Sequence, residues 1–243
     1  MELQDNNLFQ EKTFENINVF SRSNYQAGDE EGNKDTSLER IKYAVGQRII
    51  EDLDCLDELL GKRDFKYRLL GEKESQLRGK IFADSDMEFP HGMYEDFSKE
   101  DEEIFQRVKE RVKELIYEEN TALIFPVGFK EHIDHFIVRE AGITTAREYK
   151  EEMNVTFYFA EDKPYAGISD EEELTRIKNF IEDNRLETIA FRHHPQKLID
   201  LTFKHYISQV EEVYKKGIVQ RNEKLMDVHS VDYPVDRIYK FNS

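Results

Sequence analysis

The sequence predicts a mixed α+β (or α/β) protein, with an acidic, mainly helical N-terminal half and a smaller C-terminal half of β-α-β-α type. Three observations predict it. Apolar residues recur at three- and four-residue spacings through the first half, which is the pattern of helices with one buried face. Short runs rich in aromatic and β-branched residues, at 121–127, 155–160 and 186–191, mark strands in the second half. Helical segments separate those runs, and alternating β and α elements favour a sheet covered by helices.

The expected organisation is an arm over residues 1–35, an acidic helical region over 36–119 that contains a basic island at 61–83, an α/β region over 120–217 and a tail over 218–243. The arm is polar, with scattered Leu8, Phe9, Phe14, Ile17, Val19 and Phe20. It is expected either to be mobile or to pack as a strand or helix on the body. The first helix opens at a capping box, Thr36-Ser-Leu-Glu39. Leu38, Ile41, Val45, Ile49, Leu53, Leu56 and Leu60 give it one apolar face, and Gly61 stops it. A second helix opens at Ser98-Lys-Glu-Asp101 and carries Ile104, Phe105, Val108, Val112, Leu115 and Ile116.

In the second half, Pro126 pushes the end of the 121–127 strand toward a sheet edge. A helix over Phe129–Ala141 is expected to stop at Gly142, and a short one to open at Thr145. Ser169-Asp-Glu-Glu172 caps a helix to about Asn184. Pro195, favoured in a first helical turn, starts a long helix ending at Lys216-Gly217, with Ile199, Phe203, Ile207, Val210 and Tyr214 as its buried stripe.

Charge bounds the function classes. The chain has 52 Asp and Glu against 35 Lys and Arg, a net of -17 over 243 residues. Residues 1–60 carry -8, residues 61–83 carry +4, residues 84–119 carry -8 and residues 186–243 carry +1. Such a chain repels phosphates overall, which argues against general affinity for nucleic acid or anionic membrane. No apolar run approaches the length of a membrane span. The single cysteine, Cys55, excludes an intrachain disulfide, and its carboxylate neighbours disfavour a thiolate. These features read as cytoplasmic. No glycine-rich phosphate loop, serine nucleophile elbow or dinucleotide fingerprint occurs.

The leading functional expectation is therefore an acidic, non-enzymatic interaction protein without a cofactor. It would dock on a basic surface of nucleic-acid-handling machinery and inhibit or redirect it, in the manner of a phosphate mimic or a viral host-takeover factor. Glu51, Asp52, Asp54, Asp57 and Glu58 would carry that contact, together with Glu100, Asp101, Glu102, Glu103, Glu110 and Glu114. In the basic island, Lys62, Arg63, Lys66 and Arg68 interleave with Phe65 and Tyr67, cations that position phosphate beside rings that stack on bases. This gives a local nucleic-acid contact, placed after a Gly turn loosely as in a helix-turn-helix.

The alternative is a metal-assisted hydrolase or nuclease in the C-terminal half. His132 and His135 share a helical face at i,i+3 beside Glu131 and Asp134, and imidazole with carboxylate suits a divalent transition metal. His193, at the end of a strand, is the expected third ligand. Glu161-Asp162-Lys163, following a strand, is the arrangement of some metal-dependent nucleases.

Overall fold

A computed structural model describes residues 13–61, 65–80, 97–152 and 154–242. In chain order the elements are β1 (Phe14–Asn18), α1 (Leu38–Leu60), β2 (Phe65–Leu69), α2 (Lys99–Leu115), β3 (Ala122–Pro126), α3 (Ile133–Glu148), β4 (Thr156–Ala160), α4 (Lys163–Ile168), α5 (Glu171–Asp183), β5 (Glu187–Arg192), α6 (Pro195–His205), α7 (Glu212–His229) and β6 (Val235–Lys240). The described residues thus form a mixed α+β structure of seven α-helices and two small sheets. None of these helices is long and apolar enough to cross a membrane.

The chain divides into two compact units. Unit 1 is Met1–Gly79 with Arg192–Val235, and unit 2 is Lys80–Phe191 with Asp236–Ser243. The division falls after Gly79 and again at Arg192, not near residue 120.

In unit 1, β1 and β2 pair in parallel, from Phe14↔Phe65 to Asn18↔Leu69. The helix α1 connects them, a βαβ crossover. The segment expected as an arm is therefore structured from Phe14 onward; Leu8 and Phe9 lie outside the described residues. The loop after β1 is tied down by polar contacts. Ser21 Oγ accepts the Gly71 N–H at 2.9 Å, and Asn24 Nδ2 donates to the carbonyls of Asn33 and Asp35 at 2.7 and 3.1 Å. After α1 the chain turns at Gly61, whose φ of 67° lies in the left-handed region. It then enters a strand, so the basic island does not form a helix-turn-helix.

The buried face of α1 is rotated from the one expected. Ala44, Glu51 and Cys55 are buried, whereas Leu38 is 66% and Leu53 37% exposed. A polar contact sets this orientation. The Glu51 carboxylate accepts the Ser208 backbone N–H at 2.8 Å and the Ser208 hydroxyl at 2.7 Å. The same contact breaks the long helix expected from Pro195, because the Ser208 N–H goes to a carboxylate instead of a helical carbonyl. Two helices, α6 and α7, result, and Ile207 between them is exposed. The expected tail supplies most of α7 and all of β6.

In unit 2, α2 begins at the expected Ser98 N-cap, which the structure extends to a full capping box. Ser98 Oγ accepts the Asp101 N–H, and Asp101 accepts the Ser98 N–H at 2.8 Å. Its Ile104, Val108, Val112 and Leu115 are buried, and the helix packs on α3. The β3-α3-β4 segment is a second βαβ unit, with Ala122↔Thr156 through Pro126↔Ala160 in parallel register. β6 runs antiparallel to β4, and the sheet order is β3-β4-β6-β5. The rings of Phe125 and Phe157 stack at 5.6 Å in its core. The helix α3 runs straight through Gly142 instead of stopping there. A Cβ at that position would lie 2.8 Å from the Phe125 ring, so glycine is present for close helix–sheet packing and not as a cap.

Candidate active site

The C-terminal ends of β3 and β4 lie side by side, the position where α/β folds gather ligands. The Val127 N–H extends the ladder to the Ala160 carbonyl at 2.8 Å, and the two chains then separate into the turn 128–131 and the segment Glu161–Asp162. Gly128 and Lys130 both take positive φ, 82° and 61°. This backbone path delivers His132 as the N-cap of α3.

His132 Nδ1 accepts the Asp134 N–H at 3.2 Å. An accepting Nδ1 carries no proton, so the ring is neutral with its N–H at Nε2. One turn on, the His135 ring lies 4.9 Å from that of His132, centroid to centroid. His135 Nδ1 stands 3.3 Å from Asp162 Oδ1, and the Tyr165 ring edge lies beside it. Asp162 is itself fixed, because Oδ2 accepts the N–H groups of Gly128 at 2.9 Å and Phe129 at 3.2 Å. Burial disfavours the His135 imidazolium, but the charge and hydrogen bonding of Asp162, with Asp134 behind, outweigh it and raise the His135 pKa above its ordinary value. Asp134 is buried. The cluster therefore sets two imidazoles beside two carboxylates at the start of one helix, an arrangement suited to proton transfer.

His132 and His135 lie side by side at the start of α3, and the His193 backbone N–H donates to the Pro234 carbonyl at 3.1 Å. Among the described residues no three His, Cys, Asp or Glu side chains form a group able to hold a metal. The Glu131 side chain is outside the described set. A catalytic zinc takes three protein ligands, and a metal-binding imidazole commonly has its other ring nitrogen held by a carboxylate, as His135 Nδ1 stands beside Asp162 here.

The nuclease-like triplet diverges. Glu161 accepts hydrogen bonds from Arg237 Nε and from the Tyr239 hydroxyl at 2.7 Å, Asp162 faces His135, and Lys163 pairs with Asp236 at 2.5 Å. Successive side chains alternate in direction, so only Asp162 reaches the histidines.

The expected acidic contact residues also separate. Glu51 and Asp101 are buried; Asp101 closes the capping box and pairs with Lys80 at 2.8 Å. Asp52 accepts the Tyr67 hydroxyl, and Glu58 meets Lys204 at 2.5 Å and His205 at 2.7 Å. On α2, Glu103 and Glu110 lie 3.8 Å from Lys99 and Lys113, and Glu114 pairs with Arg111. Glu102 accepts Gln106 Nε2 at 2.7 Å, Glu100 is half-buried, and Asp54 and Asp57 are exposed. In the basic island Arg68 pairs with Glu15 at 2.8 Å and Lys66 is exposed; Lys62 and Arg63 lie outside the described residues. Cys55 is buried, and burial raises its thiol pKa, in line with an inert packing residue.

No protein-family model matches the sequence, and no curated protein sequence matches it. Solved structures do. A deacetylase of the A40926 pseudoaglycone superposes with a TM-score of 0.57 at 17% identity, over 99% of this chain and 88% of that one. The zinc-inhibited form of a teicoplanin deacetylase gives 0.55 at 17%, over 93% and 86%. A deacetylase–teicoplanin complex gives 0.56 at 16%, again over 93% and 86%. This chain has the fold of these deacetylases. The comparison overturns the expectation of an acidic, nucleic-acid-mimicking inhibitor, since the solved structures that share this fold are deacetylases. The net charge misled because acids used internally, such as Glu51 and Asp101, count in it equally with acids at the surface.

Proposed function

We propose that the protein is a hydrolase that removes an acyl group, of the deacetylating kind, with His132, Asp134, His135 and Asp162 as its acid–base centre. The observation that carries this reading is the His132–His135 pair, held against Asp162 at the joined ends of β3 and β4. The likeness of fold to deacetylases supports it.

Hydrolysis of an acyl amide adds water to the carbonyl carbon, breaks the C–N bond and gives the amine a proton. Asp162, 3.3 Å from His135, takes the proton that the attacking water gives up and passes it to His135, which donates a proton to the leaving amine. His132, with its Nδ1 accepting from Asp134, offers Nε2–H to the carbonyl oxygen as negative charge develops there.

The test is acetate release from a panel of N-acetylated small molecules, including acylated glycopeptides. The wild type should turn over at least one of them, and His135→Asn should lower kcat by roughly 100-fold, within the range general acid–base catalysis supplies. Turnover unchanged in His135→Asn and His132→Asn would remove the proposal, as would a wild type inert on the whole panel.

A further inference from the structure

Three consecutive backbone N–H groups, those of Gly128, Phe129 and Lys130, are each taken by a carboxylate. Asp162 takes the first two and belongs to the site already described. The third goes to Glu173 Oε1, on α5, which is buried and 43 residues along the chain. The other oxygen of Glu173 lies 3.8 Å from Lys130 Nζ, so one carboxylate engages both ends of the same residue. Glu173 is in turn fixed by the cap of its own helix, where Asp170 Oδ1 accepts the Glu173 N–H at 2.8 Å.

Lys130 is not glycine, yet it has a φ of 61° and ψ of 21°. A non-glycine residue keeps a left-handed conformation only when its surroundings hold it there. Successive N–H groups in such turns form a concavity that binds anions, and here two carboxylates of the chain itself fill it. Two residues after Lys130 the chain reaches His132, so the direction in which the histidine pair enters the site depends on this turn.

Building on the acyl-hydrolase reading, we infer that Glu173 is a positioning residue for that reaction: it latches Lys130 in the left-handed conformation and thereby aims His132 and His135. In this role it acts through Lys130, on its backbone N–H and its ammonium group, and not on the histidines directly.

The experiment compares Glu173→Ala, Glu173→Gln, Lys130→Gly and the double variant Glu173→Ala/Lys130→Gly in the full-length protein. Glycine adopts positive φ without a latch. Glu173→Ala should lower kcat roughly 10- to 100-fold, the scale of a small misplacement of reacting groups, with KM within about twofold by the same argument. Glu173→Gln keeps an acceptor for the Lys130 N–H and should stay near wild type. The double variant should recover most of the kcat lost in Glu173→Ala. A second readout does not require turnover: the ring resonances of His132 and His135 in NMR spectra should move in Glu173→Ala and return in the double variant. If those resonances stay in place in Glu173→Ala, or if Lys130→Gly restores neither kcat nor the spectrum, the inference is wrong. If the wild type hydrolyses nothing but the resonances move and return, the latch stands and the acyl-hydrolase reading fails.

Discussion

The Glu51 carboxylate on α1 accepts both the backbone N–H and the hydroxyl of Ser208, a residue 157 positions later. One buried acid thereby sets the rotation of α1, ends α6 and joins the two sequence segments of unit 1. Glu51→Ala leaves the Ser208 N–H without that partner. It should destabilise the protein by about 2–3 kcal/mol, and Glu51→Gln by less. Urea unfolding measures the difference, and amide exchange at Ser208 should quicken in the alanine variant.

Two helix glycines make opposite predictions. Gly142→Ala puts a methyl group 2.8 Å from the Phe125 ring and should destabilise by about 1–3 kcal/mol, the scale of overpacking, despite alanine's better helix propensity. Gly46→Ala on α1 meets nothing within 4 Å and should stabilise by about 0.5–1 kcal/mol. Thermal melts of the two variants should shift in opposite directions.

Asp162 raises the proton affinity of His135, so removing its charge should lower it. In Asp162→Asn the His135 ring resonance should titrate at lower pH than in the wild type, and NMR titration reads this directly. The sign for stability follows. With a folded pKa above the ordinary 6.5, the pair's contribution is fully present below about 6.5 and is lost as pH rises through the raised value. The stability gap between wild type and Asp162→Asn should therefore narrow on the alkaline side.

Burial also raises the Glu173 carboxyl pKa above its ordinary 4.5, against the pull of Ser169 and Lys130. A carboxyl raised in this way contributes stability below about pH 4.5 that is lost as pH rises through the folded value. Glu173→Gln cannot ionise and lacks this dependence. Its stability relative to wild type should improve between pH 4 and pH 7, which parallel denaturant titrations at the two pH values will show.

The elements legible in the sequence are those whose signals are local. The start of α2 follows from Ser98 and Asp101 three residues apart, and its buried side from Ile104, Val108 and Val112. The His132–His135 pair is equally local, since i,i+3 on a helix places two rings together. β1 was not legible because Phe14-Glu-Asn-Ile-Asn18 is too polar to alternate clearly; its partner β2 lies beyond the whole of α1. Gly142 reads as a stop in sequence, and only the Phe125 ring explains why it is not one. Asp162 carried a signal within Glu161-Asp162-Lys163, but the outer two side chains turn away to Arg237 and Asp236. Glu173 gave no signal, because its function is to hold a backbone N–H 43 residues away.

The interleaving of the two units bears on how the chain comes off the ribosome. Unit 1 is begun by residues up to Gly79 and resumed only at Arg192, while unit 2 lacks its β6 residues until Asp236 and those after it have been added. During translation the first segment of unit 1 waits, without α6 or α7, while the intervening residues are added. The β3-α3-β4 crossover, with its local connections, is complete well before either unit. The nascent protein should thus acquire the scaffold of its histidine pair early, and close both units almost together once β6 has been made.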